Sequence, residues 1–385
     1  MPRRILCVIG ARPNFMKIAP LLAAFRSSSE PFECTLVHTG QHYDAAMSSV
    51  FFEELSLPAP DIHLGVGAGT QATQTGRIME ALESTLEERR PDLVLVVGDV
   101  NSTLAAAIVA AKAAVPLAHV EAGLRSFDRR MSEEVNRIVT DGLGSYLFAT
   151  EDDAVANLRH EGVPDDRIFM TGNVMIDTLQ ALLPRIRARA MAAELGLSAG
   201  AFGVVTLHRP SNVDHTAMLS AWVAALSRIA ERLPLVFPVH PRTRGRMAAD
   251  RLDEGLASAG VRLIEPLPYV EFVSLVAQAR LVLTDSGGIQ EETTVLGIPC
   301  LTLRDSTERP ITVTHGTNRL VGANPEAAIE AVKDVLAAPP PAPQAPPLWD
   351  GHAAERIVGI LRGLDWHIRD DAQSTGTAAA PAAHQ

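Results

Sequence analysis

Short apolar runs alternate with helix-patterned segments along almost the whole chain, and the series occurs twice. Residues 4–8, 34–38, 93–97, 117–120 and 146–149 read as strands, with Ala- and Leu-rich helical patterns between them, notably 17–26 and 103–113. A second series follows at 203–206, 235–239, 261–264, 281–284 and 300–303. Uniformly apolar strands separated by helices belong in parallel sheets covered on both faces. The expected fold class is α/β, with two Rossmann-like doubly wound parallel-sheet domains and an interdomain cleft. A length of 385 residues, too great for one ordinary core, agrees. The division falls near 171–183, giving a first domain over 1–172 and a second over 173–336. Residues 337–347 (AAPPPAPQAPP) read as a Pro-rich linker, 353–363 as one more helix and 370–385 as a disordered tail.

Charge narrows the partners. Lys and Arg number 34 against 45 acidic residues, for a formal charge of −11 without a basic block, so no nucleic-acid partner is expected. No run of 18 apolar residues exists, so no membrane span is expected, and the N-terminal MPRRILCVIG reads as a buried strand rather than a leader. The cytoplasm is the expected location. Cys7, Cys34 and Cys300 lie in strand-like runs without metal-type spacing and read as reduced core thiols. Neither a metal nor a cofactor is called for.

Reactive residue types gather after the strands, where doubly wound sheets bind ligands. In LVLTDSGGIQEE (281–292) a strand runs into Ser286, Gly287 and Gly288 and a helix opens at once. Two glycines permit close backbone approach, and the helix start offers free N–H groups to a phosphate; the same letters also suit a capped strand-to-helix turn. Glu292 suits a pair of ribose hydroxyls. After the first strand, Arg12 and Lys17 place two cations in a loop without the dinucleotide glycine pattern, which disfavours a nicotinamide cofactor. Asp99, Glu121 and Glu133 follow strands or open a helix in the same half. Each alone reads as a cap, but converging acids would perturb one another's ionisation and prepare a donor beside an acceptor. His208 and His240 each come directly after a strand of the second series, Arg309 follows residues 300–303, and Phe272 is a candidate to stack on a base. Neither His208 nor His240 has a His-x-x-x-His partner or a Cys neighbour, which argues against zinc there.

Taken together, GARP (10–13), HTGQH (38–42), GD (98–99), HVEAGLR (119–125), SEEVNR (132–137), LHR (207–209), PVH (238–240), DSGGIQEE (285–292) and TERP (307–310) resemble, in order, the non-hydrolysing UDP-N-acetylglucosamine 2-epimerases. The resemblance runs over about residues 4–364 and includes WDG (349–351) and ERI (355–357). It implies the glycosyltransferase-B type of fold, with the last helix, about 352–366, crossing back to the first domain, and a homodimer. It implies catalytic roles for Asp99, Glu121, Glu133 and His208. Substrate contacts are implied for Arg12, Lys17, His240, Phe272, Ser286, Gly287, Gly288, Glu292 and Arg309, and a second, regulatory UDP-sugar site for Gln41 and His42. Ser132, Val100 and Leu267 depart from the usual residues; the first would loosen the loop holding Glu133.

The chemistry implied is reversible epimerisation of UDP-N-acetylglucosamine to UDP-N-acetylmannosamine through UDP and a 2-acetamidoglucal. It needs proton-transfer groups and strong stabilisation of the departing diphosphate. Alternatives are a hydrolysing 2-epimerase, an epimerase of a diacetamido-uronic UDP-sugar, a glycosyltransferase of the same fold, and a non-catalytic UDP-sugar sensor. Gln290–Glu292 and Thr307–Pro310 are taken to favour the simpler N-acetylated sugar over the uronic one.

Overall fold

A computed structural model describes residues 2–41, 54–339, 342 and 345–366. Among these, two sheets form, and every pairing within them is parallel. The first comprises β1 (Arg3–Ile9), β2 (Phe32–His38), β3 (Ile62–His63), β4 (Leu93–Val97), β5 (Leu117–Ala122), β6 (Tyr146–Ala149) and β7 (Ile168–Met170), in the order β3-β2-β1-β4-β5-β6-β7. The second comprises β8 (Gly203–Thr206), β9 (Leu235–Pro238), β10 (Arg262–Ile264), β11 (Leu281–Thr284), β12 (Cys300–Thr302) and β13 (Asn318–Leu320), in the order β10-β9-β8-β11-β12-β13. The expected α/β class of two doubly wound parallel sheets is what the chain adopts. Winding reverses between β1 and β4 and again between β8 and β11, and a reversal of this kind opens a crevice at the strands' carboxyl ends.

Packing follows from the all-apolar strands. Ile5, Cys7 and Ile9 of β1 join Phe15, Leu95, Phe148 and Ile357 in one core, while Leu6, Val8, Val94 and Val96 face a second core on the other side of the sheet. Trp222, Phe237, Leu281 and Leu301 centre the core of the second domain. Helix Ala353–Gly363 packs on the first sheet: Ala353, Ile357 and Leu361 join the core of Ile5 and Cys7, and Arg3 Nη1 donates to Leu361 O at 3.0 Å, while Asp177 caps the helix start, accepting from Ala353 N (3.1 Å) and Ala354 N (2.6 Å).

One local expectation changes. The first helix begins at Arg12 rather than Lys17, so Arg12 and Lys17 lie on a helix and not in a loop. Proline is tolerated in a first helical turn, and Asn14 fixes this one. Its Oδ1 accepts from Gly10 N and Ala11 N (3.1 and 3.0 Å), and its Nδ2 donates to Val97 O.

Candidate active site

Residues from both switch points line one cavity of about 440 Å³. On the first-domain side, Asp99 follows β4 through Gly98, whose φ is +69°. A Cβ at Gly98 would stand 2.8 Å from Lys17 Nζ, so glycine here satisfies both the backbone and the passing ammonium. Asp99 pairs with Arg137 Nη1, and Arg137 Nη2 holds Glu134 Oε2 at 2.6 Å. Glu133, half-buried on the cavity wall, accepts from Ser132 Oγ at 3.1 Å and has no cationic partner among the described residues. His119 is a buried strut: one ring nitrogen meets Asp141 at 2.6 Å and the other Gly98 O at 2.9 Å.

Glu121 is different. Its φ is +73°, costly for a side-chain-bearing residue, and the β5–β6 register shifts between Val120 and Ala122. The carboxylate, 3% exposed, lies between Lys17 Nζ and Arg309 Nη2, the latter at 2.6 Å. Arg309 Nε then donates to Glu291 Oε1 at 2.5 Å, which also accepts from Asn173 Nδ2 at 2.9 Å. Ion pairs thus run from the first domain into the second. Burial alone would lower the affinity of Arg309 for its proton, but the charges of Glu291, Glu121 and Glu308 outweigh it and raise its pKa.

On the second-domain side, Asp285 is fully buried and accepts from His208 N (3.0 Å), Arg209 N (2.9 Å) and Asn212 Nδ2 (3.1 Å). It also meets His208 Nδ1 at 2.9 Å. Burial pushes its carboxyl up; the His208 contact and the other donors more than reverse this, leaving it below the usual range. With Nδ1 engaged, Nε2 is the His208 nitrogen left for a ligand. Ser286 caps helix Gly287–Leu296 without a side-chain capping bond, so its hydroxyl is not spent on the cap. A Cβ at Gly288 would meet nothing within 4 Å, and one at Gly287 would stand 3.2 Å from Arg309 Nη1. Glycine here keeps the backbone N–H groups approachable. Glu292 is buried and pushed up to about 7, chiefly by burial, with Tyr269 opposing and Glu291 adding to the rise.

Of the residues expected from the sequence, Lys17, Asp99, Glu133, His208, Phe272, Ser286, Gly287, Gly288, Glu292 and Arg309 line the cavity. Glu121 lies behind its wall, and His240 stacks against His208 with ring centroids 5.8 Å apart. The Gln41 side chain turns into the core, where Oε1 accepts from Ser102 N (3.0 Å) and Oγ (2.8 Å). His42 and the side chain of Arg12 fall outside the described residues. Sequence reasoning passed over Arg137, Asp285 and Arg209. Arg137 was legible as the residue one helical turn after Glu133; Asp285 reads as a cap until His208 is placed beside it. Arg209 lines the cavity, and its guanidinium, unlike those of Arg137 and Arg309, has no carboxylate partner among the described residues. No cluster of three or more His, Cys, Asp or Glu among the described residues could hold a metal ion, and no described helix is long and apolar enough to cross a membrane.

Comparison with known proteins agrees with this geometry. The family model for UDP-N-acetylglucosamine 2-epimerase matches residues 25–362. The UDP-N-acetylglucosamine 2-epimerase of Methanocaldococcus jannaschii is 42% identical over 365 residues, covering 93% of this chain and 98% of that protein. A UDP-2,3-diacetamido-2,3-dideoxy-D-glucuronate 2-epimerase of Pseudomonas aeruginosa is 43% identical over 337 residues, covering 86% and 92%. The crystal structure of the M. jannaschii UDP-GlcNAc 2-epimerase in complex with UDP-GlcNAc and UDP superposes with a TM-score of 0.86 at 40% identity, covering 94% of this chain and all of that one.

Proposed function

The chain belongs to the UDP-N-acetylglucosamine 2-epimerase family, and we propose that it interconverts UDP-N-acetylglucosamine and UDP-N-acetylmannosamine. The observation that carries this reading is a single cavity with carboxyl groups on one wall and a glycine-rich helix start, His208 and Arg209 on the other. Carbon 2 of the sugar is not adjacent to a carbonyl, so its proton is hardly acidic. Heterolysis of the C1–O bond sends the electron pair to the β-phosphate of UDP and builds positive character at C1. The C2 proton then leaves to a carboxylate, forming the C1–C2 double bond of a 2-acetamidoglucal. Reprotonation from the opposite face, with the diphosphate oxygen adding back at C1, inverts C2.

Glu133 and Asp99 exchange the proton, because both line the cavity. The departing diphosphate meets the Gly287–Gly288 helix start, the Ser286 hydroxyl, His208 Nε2 and Arg209. Glu121 acts from behind, holding Lys17 and Arg309 at the wall. Phe272 stacks on uracil and Glu292 accepts from the ribose hydroxyls. The enzyme works in the cytoplasm as a homodimer and supplies precursors for surface polysaccharide. Supporting the dimer, Val135, Val139 and Leu143, spaced four apart on helix Ser132–Leu143, are 42%, 36% and 38% exposed.

A second reading, an epimerase of the diacetamido-uronic sugar, draws on the P. aeruginosa relative. Of Gln290–Glu292 and Thr307–Pro310, taken from the sequence to favour the simpler sugar, the Gln290 and Thr307 side chains hydrogen-bond to each other at 2.7 Å and do not line the cavity, whereas Glu291, Glu292, Glu308 and Arg309 do. Arg209 would also suit a sugar carboxylate. Incubating the enzyme with each UDP-sugar and identifying products by NMR separates the readings. Conversion of UDP-N-acetylglucosamine to its manno epimer is expected; turnover of the uronic sugar alone would transfer the assignment, and free hexosamine would indicate hydrolysis.

A further inference from the structure

The His119 ring is fully buried on β5, between two acceptors. Nε2 lies 2.9 Å from Gly98 O, and a carbonyl cannot donate, so this nitrogen carries a proton. Nδ1 lies 2.6 Å from Asp141 Oδ1. Asp141 is itself buried, and its other oxygen accepts from Gly123 N at 3.0 Å and pairs with Arg125 Nη2 at 2.7 Å. Two such donors, one of them cationic, favour the carboxylate, which cannot donate either. Burial would raise the Asp141 carboxyl, but His119 and Arg125 outweigh it and leave it below the usual range. Nδ1 is then protonated as well, and the ring is an imidazolium. The charges balance on that count. Arg125 also grips Glu161 through Nε and Nη2 at 2.7 and 2.6 Å, so two cations face two carboxylates. With a neutral ring, Asp141 and Glu161 would share Arg125 alone, which leaves one negative charge in excess at a buried site.

Gly98 O belongs to the peptide that leads into Asp99. Gly98 is left-handed and has no side chain to pack, so hydrogen bonds hold the chain here: His119 Nε2 donates to Gly98 O, and Asn136 Nδ2 to the next carbonyl, Asp99 O, at 2.8 Å. We propose that His119 is a positioning residue for the reaction, an imidazolium whose Nε2–H anchors the Gly98–Asp99 peptide and so sets where the Asp99 carboxylate stands on the cavity wall. The effect on turnover rests on the epimerase reading; the state of the ring and its contact with Gly98 do not. His119 exchanges no proton with the substrate.

The test uses the full chain. With histidine ring nitrogens isotopically labelled and no substrate present, NMR at neutral pH should show one ring with a proton on each nitrogen, both slow to exchange with water. That signal should be absent from His119→Asn and His119→Gln. A His119 ring with one bare nitrogen overturns the proposal. Turnover then separates the two contacts, because asparagine places its amide where Nδ1 stands and glutamine where Nε2 stands. His119→Asn should lower kcat by about 10–100-fold, the scale of a small misplacement near the chemistry, with KM and UDP affinity near the parent's. His119→Gln, which can still donate to Gly98 O, should recover most of that loss. A parental kcat in His119→Asn, or equal losses in both variants, overturns the proposal; equal losses would make His119 a support for Asp141 alone. If the parent does not epimerise the UDP-sugar, the epimerase reading fails, while the ring spectra still decide this one. Should neither variant fold, solid-state NMR of the parent labelled also at glycine carbonyl carbons decides: the doubly protonated ring should couple to a glycine carbonyl at hydrogen-bond distance, and a ring without that coupling overturns the proposal.

Discussion

The two switch points build their halves of the cavity by different means. At β8 and β11 the working groups are largely one continuous turn, Asp285 to Gly288, whose backbone is presented by the helix it opens. At β1, β4 and β5 they are side chains brought together from afar: Asp99 meets Arg137, and Glu121 meets Lys17 and Arg309. A backbone turn is rigid by itself, whereas buried ion pairs hold only while both partners remain. Changes on the nucleotide side should therefore alter affinity alone. On the acid side, changes to paired groups should also alter stability.

The largest effect expected is kinetic. Glu133→Gln should lower turnover by about 10²–10⁴-fold, the usual contribution of a positioned acid or base. UDP affinity and unfolding midpoint should stay near the parent, because Glu133 pairs with no cation among the described residues. A near-normal rate would leave Glu133 as a helix-turn residue. Next comes Arg309→Ala, which strands Glu291 and leaves Glu121 with Lys17 alone; breaking a buried pair costs about 3–5 kcal/mol, read as a lowered urea midpoint. If only UDP binding suffered, Arg309 would belong to the nucleotide side and the contrast would fail.

Gly288→Val probes the opposite half. Its Cβ would enter open space, so folding should be spared, while UDP binding by calorimetric titration should weaken by about 1.5–3 kcal/mol, the range for a hydrogen bond to a charged group. A pH effect follows from Glu151, fully buried just after β6, where burial raises the folded pKa from the ordinary 4.5 to about 8. The folded state holds this proton more tightly, so its contribution is complete below about pH 4.5 and is lost as pH rises to about 8. Stability of the parent should fall across that window, and Glu151→Gln should flatten the slope; an unchanged slope would mean that Glu151 does not titrate there. Smallest of all, Arg130→Ala, at an exposed pair with Asp128, should change stability by under about 1 kcal/mol.

The same contrast explains what the sequence made legible. Apolar runs disclosed both sheets because the central strands are buried on both faces, whereas β3, β7 and β13 are short edge strands, only partly buried, and went unread. The glycine turn could be read because its parts are adjacent. Asp99 and Glu133 were found as acids beside strands or helix starts, yet nothing local distinguishes them from Glu121. What separates Glu121 is a bulge, a left-handed backbone and a guanidinium 188 residues away. Gln41 was expected at a regulatory site only through the resemblance; the partner of its side chain, Ser102, appears only when the ends of β2 and β4 are brought to the same edge.

The central claim is that the cavity exchanges the C2 proton while UDP stays bound beside the glucal. Incubation with UDP-N-acetylglucosamine in deuterated water, followed by NMR, tests it directly. Deuterium at C2 in a sugar still linked to UDP is expected, in both the gluco and manno forms. Epimerised product that keeps protium at C2 would contradict the elimination and re-addition proposed here.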